Sequence, residues 1–238
     1  MDVFTIYTDL GLIPYKEALA YQEKLFQEIL YIKKCNETLP QCEKNAQYNH
    51  LIFCEHPHVY TLGKSGDESN LLIDTIQLQA KNADFIKTNR GGDITYHGPG
   101  QLVGYPILDL EGLQIGTKQY IEKMEDAIIL TLQEYGLVSY RKRDSIGVWL
   151  AENKDKPERK IAAIGVKISR QVSMHGFALN VITNMDYFDY INPCGFTDKG
   201  VTSMEKELGY APDLEKIKTS LKQHLKQVLN LKFFEIEK

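Results

Sequence analysis

The densest concentration of groups able to do chemistry lies at Arg90 to Gly100, RGGDITYHGPG, where Gly91, Gly92, Gly98 and Gly100 surround Arg90, Asp93, Ile94, Thr95, Tyr96 and His97. Glycine permits positive φ and close backbone approach, so this stretch suits a loop that cradles a ligand and aims an arginine, a phenol and an imidazole at it. The same composition also builds a pair of tight turns around a short strand, and spacing leaves both readings open. A second candidate is Cys194, in Asn192-Pro193-Cys194-Gly195, a thiol on backbone bent between a restrictive proline and a permissive glycine. Its plain alternative is a small buried hydrophobe. Catalysis by a thiol of pKa about 8.5 needs an activator, since little of it is thiolate at neutral pH. Lys160, at the mouth of the apolar run Ile161 to Gly165, carries an ammonium suited to that task; its alternative is a solvated hairpin lysine.

Other constellations are weaker. Gly63-Lys64-Ser65 imitates the tail of a phosphate-binding Walker loop, but the leading glycine position is His58, and no dinucleotide-binding glycine pattern is present. Cys54, His56 and His58, with His97 as a distant fourth, are metal-ligating types. Pro57 interrupts them and neither CxxC nor HExxH occurs, so no metal site is expected. Lys218, Lys222 and Lys226, and Arg141-Lys142-Arg143, are basic runs that read as solvated faces or as docking sites for an acidic partner.

The elements that must position these groups follow from periodicity. Val3 to Tyr7 reads as a strand, and Pro14 opens a long helix with Ala18, Tyr21, Leu25, Ile29 and Ile32 at helical spacing. Cys35 to Asn49 reads as a surface connection. LIFCE and VYTL flank His56-Pro57-His58 as strands, and Asp84 to Thr88 adds another. Gln101 to Leu110 is a strand whose Pro106 belongs at an edge, end or bulge. A helix begins at Thr117, with Ile121, Met124, Ile128, Leu132 and Tyr135 on one face and Gly136 in the left-handed capping position. Ile146 to Leu150, Ile161 to Ile168 and Met174 to Ile182 read as strands, the first two joined by a charged hairpin tip and the last two by a turn at Arg170-Gln171. A last helix starts at Pro212-Asp213, with Leu214, Ile217, Leu221 and Val228 inward. Runs of strands between helices predict an α+β fold with a mixed β-sheet and flanking helices, and with no internal repeat or clear domain boundary the chain reads as one domain over 1–238.

Composition narrows the class. With 43% hydrophobic and 25% charged residues the chain reads as an ordinary globule rather than a disordered or fibrous one. A net charge of -4 gives no bulk attraction for nucleic acid. No basic, then apolar leader opens the sequence and no run reaches the length of a spanning helix, so a cytoplasmic protein with no membrane partner is expected. Four cysteines, Cys35, Cys42, Cys54 and Cys194, are too few and too irregular for a disulfide framework, and reduced thiols are expected.

Taken together, the segments CEHPHVYTLGK (54 to 64), RGGDITYHGPGQLVGYPILDL (90 to 110), GVW (147 to 149), KIAAIGVKISRQVSMHGFALNV (160 to 181) and INPCGFTDKGVTSM (191 to 204) resemble the octanoyltransferase, or lipoyl(octanoyl) transferase, family of the biotin/lipoate protein ligase superfamily. The resemblance implies a catalytic fold like that of class II aminoacyl-tRNA synthetases and biotin ligases. It implies that octanoate, carried as a thioester on the phosphopantetheine arm of acyl carrier protein, moves to a lysine of a lipoyl domain, as in 2-oxo-acid dehydrogenases and the glycine cleavage system. Cys194 falls on the family's nucleophile and Lys160 on its activating lysine. The binding segments carry over onto Arg90, Gly91, Gly92, Asp93, Ile94, Thr95, Tyr96 and His97, onto Ala163, Ile164 and Gly165, and onto Gly176, Phe177 and Ala178. No cofactor is expected beyond the phosphopantetheine on the donor, and a monomer is expected.

This chemistry is self-consistent. Thioester exchange onto Cys194 is nearly isoenergetic and aminolysis to an amide is downhill, so ATP is not required. Backbone N–H groups of the glycine-rich and Gly195 loops are candidates to hold the oxyanion. The small Ala162, Ala163, Gly165 and Gly176 are expected to leave room for an eight-carbon chain. Two positions depart from the family pattern: Lys64 stands where TLGR is usual, losing bidentate geometry, and Phe177 where leucine is frequent. Three rivals are an ATP-dependent lipoate or biotin ligase on the same fold, a transferase acting between lipoyl-domain proteins, and a non-catalytic binder of acylated carrier protein. Cys194 together with Lys160 argues against the ligase and the binder, and donor choice separates the remaining two.

Overall fold

Residues 3–40, 43–192 and 200–234 are described by the computed structural model. Their strands are β1 (Phe4–Leu12), β2 (Tyr48–Glu55), β3 (Val59–Leu62), β4 (Asp84–Lys87), β5 (Ile94–His97), β6 (Gln101–Ile107), β7 (Tyr140–Lys142), β8 (Ser145–Leu150), β9 (Arg159–Ser169), β10 (Val172–Asn180), β11 (Gly200–Val201) and β12 (Lys232–Phe233). The helices are α1 (Tyr15–Asn36), α2 (Thr75–Ala80), α3 (Thr117–Glu134), α4 (Met204–Leu208) and α5 (Leu214–Val228). The large sheet runs β12-β1-β2-β6-β10-β9-β8-β7, with β11 added beside β9, and a small sheet β4-β3-β5 stands against it. Parallel pairs at β1·β12, β1·β2 and β9·β11 among antiparallel neighbours make the large sheet mixed, as the sequence predicts.

Each face of the large sheet is covered because its alternating side chains are apolar on both sides. One face packs Ile52, Val103, Tyr105 and Ala178 against Ala18, Leu25, Phe26 and Ile29 of α1. The other packs Leu51, Phe53, Leu102, Phe177 and Leu179 against Met124, Ile128 and Leu132 of α3 and Ile217, Leu221 and Leu225 of α5. Gly136 takes φ +74, and Leu137 N–H donates back to Leu132 C=O, so α3 ends in the left-handed cap its sequence calls for. Arg170 and Gln171 both have positive φ, the geometry of a tight hairpin turn between β9 and β10.

The structure also corrects several expectations. α1 continues through Cys35, so the connection before β2 is shorter than Cys35 to Asn49. Pro106, by contrast, sits where the sequence expects it, at a strand end: it is the penultimate residue of β6 and pairs with Leu51 of β2, while the regular β6·β10 ladder stops at Gly104↔Phe177 and resumes as a bridge at Asp109↔Val172. The missing N–H falls in that gap, where Ser173 Oγ donates to Pro106 C=O and accepts from Leu108 N–H. Lys218 is no solvated lysine; it is buried and paired with Asp9 and Glu215 at 2.9 and 2.8 Å. Burial alone would lower its pKa, but the two carboxylates raise it. Lys222 and Lys226 lie over the rings of Tyr7 and Phe233, Arg141 pairs with Asp126, and Lys142 with Glu158. Both basic runs are thus largely engaged within the fold.

Candidate functional site

A cavity of ≈ 830 Å³ opens between the β6·β10·β9 part of the large sheet, the small sheet and the loop Arg90 to Asp93. Two close glycine approaches shape that loop. A Cβ on Gly63 would stand 2.2 Å from Gly92 O and one on Gly165 would stand 2.8 Å from Gly91 O, so neither position admits a side chain without moving backbone. Gly92 itself takes φ +85, and Gly91 N–H donates to Val166 C=O. The buried Arg90 guanidinium then ties the loop to β3, donating to Thr61 C=O at 2.6 Å, Thr61 Oγ1 at 3.0 Å, Gly91 C=O at 3.0 Å and Asp93 C=O at 2.7 Å. Asp93 accepts from Ile94 N–H and from Asn70 Nδ2 at 2.7 Å each. Gly91 N–H is therefore spent on the fold and is no oxyanion donor.

Among the sequence-predicted binding residues, Arg90, Gly91, Gly92, Asp93, Ile94, Thr95, His97, Ala163, Ile164, Gly165, Gly176, Phe177 and Ala178 all line the cavity. Tyr96 does not. In the strand Ile-Thr-Tyr-His it alternates away from Thr95 and His97, bonds His58 Nδ1 at 2.7 Å and stacks on Tyr187 with ring centroids 4.9 Å apart. Ala162 likewise belongs to the core on the far face. The space beside Gly165 and Gly176 is occupied by backbone and side-chain atoms, Gly91 O and Arg90 at the first and Gly104 O with Pro106 at the second. Those two glycines serve close packing, so the room expected beside them is absent and the open volume is that of the cavity as a whole. The Phe177 ring rests over Gly104, whose Cβ would stand 2.1 Å from it, and meets Phe53 edge-on. Lys64 is exposed, its N–H bonded to Arg90 C=O.

Lys160 lies on the cavity wall, half-buried, with Nζ 3.1 Å from Ile146 C=O and 4.8 Å from the centre of the Trp149 ring. Cys194 lies outside the described residues, as do Pro193 and Gly195. The described chain on either side of it is firmly attached. Asn192 N–H donates to Asn70 C=O at 2.8 Å, and Asn70 in turn holds Asp93 of the glycine-rich loop. On the other side Val201 pairs with Lys160, and Thr202 N–H donates to Lys160 C=O at 2.9 Å. Arg159 and Glu207 form a two-point ion pair at 2.7 Å, and Glu207 also accepts from Thr202 Oγ1 at 2.6 Å. The Arg159 guanidinium bonded to it holds the Glu207 carboxyl down to about 2. Ile191, Asn192, Gly200 and Val201 all line the cavity that holds Lys160.

Sequence reasoning missed a polar wall. Tyr15 stacks on His97 with centroids 5.7 Å apart, and burial pushes its pKa up to about 12. His97 donates from Nδ1 to Gln101 Oε1 at 2.8 Å; Gln101 Nε2 donates to Asn180 Oδ1 at 2.8 Å, and Asn180 Nδ2 to Thr202 C=O at 3.0 Å. His175, at φ +61, donates from Nε2 to Asn89 Oδ1 at 2.7 Å, and burial, with Arg90 and Lys167 nearby, pushes it down to about 3. His56 is bonded to Tyr105 OH and Ile13 C=O, and burial takes it down to about 4. Cys54 is buried beside it with its thiol pushed up, a neutral core cysteine. His97 and His175 are neutral hydrogen-bonding parts of the cavity wall, and His56 packs against His97 with ring centroids 5.9 Å apart. The available signals were Pro14-Tyr15 entering a helix and polar residues within the otherwise apolar MHGFALN.

The architecture has known counterparts. A structure of a bipartite lipoate protein ligase with its E2 lipoyl domain from Thermoplasma acidophilum superimposes with TM-score 0.68 at 14% identity, over 98% of this chain and 87% of that one. The biotin protein ligase of Aquifex aeolicus with biotin and ATP gives 0.53 at 13% identity, over 95% and 70%. These establish the fold. In sequence, an octanoyltransferase of Flavobacterium johnsoniae is 53% identical over 91% of this chain and 93% of its own length. One of Cytophaga hutchinsonii is 50% identical over 94% and 91%. The family described as "Lipoyl protein ligase A/B catalytic domain" matches residues 14–226. With a match of that extent and curated relatives at half identity over nearly the whole chain, the protein belongs to the lipoyl protein ligase A/B catalytic domain family, on its octanoyltransferase branch.

Proposed function

We propose that this protein transfers an octanoyl group from octanoyl acyl carrier protein to a lysine of lipoyl domains through a thioester on Cys194. The observation that carries the reading is that the chain entering and leaving the Cys194 segment is fastened to the wall of the cavity that holds Lys160. The octanoyltransferase relatives support the reaction class. In the first half-reaction the Cys194 thiolate attacks the donor carbonyl, the carbon–sulfur bond to phosphopantetheine breaks, and the departing thiolate takes the proton of the Lys160 ammonium, leaving Lys160 as the neutral amine. In the second, the acceptor lysine, as the free amine, attacks the acyl-Cys194 carbonyl; a carbon–nitrogen bond forms, Cys194 leaves as thiolate, and the amine's proton passes to Lys160. No group is oxidised or reduced. The ammonium of Lys160 serves the first half by stabilising thiolate and its neutral amine serves the second as base. An eight-carbon chain in the cavity gains about 0.8 kcal/mol per buried methylene before costs.

Intact-protein mass spectrometry after mixing with octanoyl acyl carrier protein, without ATP, tests this directly. An octanoyl adduct on the wild type that is absent from Cys194→Ser is the expected result. Labelling only when free octanoate or lipoate, ATP and a lipoyl domain are supplied would assign a ligase instead.

A further inference from the structure

The strand pair that carries Lys160 contains a local irregularity. Between the pairs Lys142↔Ser145 and Arg141↔Val148, β8 carries Ile146 and Gly147 with no opposing residues, a bulge in the β7·β8 ladder. The Gly147 N–H freed there donates to Oε1 of the buried Glu125 on α3 at 2.9 Å. The Ile146 C=O receives Lys160 Nζ at 3.1 Å. Gly147 has φ +126, and a Cβ on it would stand 2.5 Å from Ala162 O, so a side chain there would collide with the backbone of β9; the Lys160 stem passes beside this glycine, its Cδ and Cε 3.4 Å from where that Cβ would be. Directly opposite Lys160 in register is Trp149, buried, with its indole N–H fixed on Ser145 C=O at 3.0 Å and its ring 4.8 Å from Nζ.

We propose that Trp149 is a positioning residue for Lys160, its ring face and the bulged Ile146 carbonyl together holding the ammonium at the cavity wall. The inference rests on the reading of Lys160 as activator of Cys194. An indole face attracts a cation through its quadrupole. A ring and a carbonyl thereby hold an ammonium in place without neutralising it, which leaves the proton exchangeable. Among the described residues, the other charged or titratable groups around this contact include Lys142, with Nζ 5.5 Å from the same ring; Glu158, which takes Lys142 and Tyr140 OH; Glu125; and Asp144 and Lys206 on the cavity wall.

Trp149 is the only tryptophan of the chain, so the protein reports on the contact without labelling. Tryptophan emission followed from pH 7 to 11 should contain a titration step in the wild type that is lost in Lys160→Met and kept in Lys142→Met. Identical titrations in wild type and Lys160→Met would overturn the proposal. The second arm follows the pH dependence of Cys194 alkylation by iodoacetamide in Trp149→Leu and Trp149→Phe, each checked for folding by circular dichroism. Trp149→Leu should raise the apparent thiol pKa by about 0.5 to 1 unit, with partial recovery in Trp149→Phe. Unchanged profiles in both folded variants would also overturn it. If Trp149→Leu does not fold, the emission arm and Trp149→Phe still decide. A Lys160→Met protein whose Cys194 alkylates at the wild-type rate would defeat the activator reading and the proposal with it, a result separate from the emission titration.

Discussion

Lys160 illustrates how little of a catalytic group resides in its side chain alone. Its backbone is paired with Trp149 on one side and Val201 on the other, so the strand register that fixes the lysine also fixes the end of the segment that carries Cys194. Replacing Lys160 by alanine should slow alkylation of Cys194 at neutral pH by roughly tenfold, the effect of about one unit of thiol pKa. An unchanged rate would remove the activator role. Lys218 makes the opposite point. Paired to Asp9 and Glu215 in a buried position, it should, when changed to methionine, lower the melting temperature and leave the apparent affinity for donor unaltered. Weaker donor affinity without loss of stability would restore it as part of a docking surface. Tyr96 was placed in the site by the composition of the glycine-rich stretch and by the resemblance, whereas the two-residue period of the strand sends it to the face opposite Thr95 and His97.

At the scale of elements, the glycine-rich loop and β9 act as one unit because they touch through glycine. Gly165→Ala would drive a methyl group to 2.8 Å from Gly91 O, which costs about 1–3 kcal/mol if the loop yields only in part. The expected result is a lower melting temperature together with a raised Michaelis constant for donor; wild-type values of both would show that the loop moves freely. Beyond β9, the Arg159–Glu207 pair holds the end of α4 against the start of β9. Glu207→Gln should slow acyl-enzyme formation in a single-turnover experiment by loosening Gly200 to Thr202, and an unaltered rate would confine the pair to a stabilising role. The principal helices and most long strands were legible because their periods and caps are strong: Pro14, Gly136 and Asp213 all mark the boundaries that form. β7, β11 and β12 were not, because strands of two or three residues have no period to read. The Cys194 and Lys160 roles came from resemblance, and thirteen of the fourteen binding residues it supplied line one cavity. Tyr15, Asn180 and His175 were missed because their roles depend on partners far away in sequence.

For the whole molecule, the neutral histidines make stability a function of acidity. His56 and His175 have folded values of about 4 and about 3, below the unfolded value of about 6.5. Above pH 6.5 both states hold them neutral and they contribute no pH dependence. Below it the unfolded chain takes up protons first, so stability falls by about 1.4 kcal/mol per pH unit for each group until its folded pKa is reached. His97 acts in the same direction. Glu207, depressed to about 2, adds stability that is complete above the unfolded carboxylate range and lost as pH falls toward 2. Melting temperatures should therefore fall steadily from pH 6.5 to 4.5; a flat profile would mean that these imidazoles are protonated in the native state. Among the described residues no helix is long and apolar enough to cross a membrane.

The gap that Pro106 opens in the middle of the sheet has a kinetic counterpart. Gly104↔Phe177 closes the regular ladder and Asp109↔Val172 is an isolated bridge; between them Ser173 N–H still donates to Leu108 C=O, but the Leu108 N–H is received by the serine hydroxyl instead of a backbone carbonyl. A side-chain rung can let go by a rotation about one bond, without the strands parting. In deuterated solvent the Leu108 amide should consequently exchange ahead of those of Leu102 and Val103, a quick position immediately past the end of a slow strand.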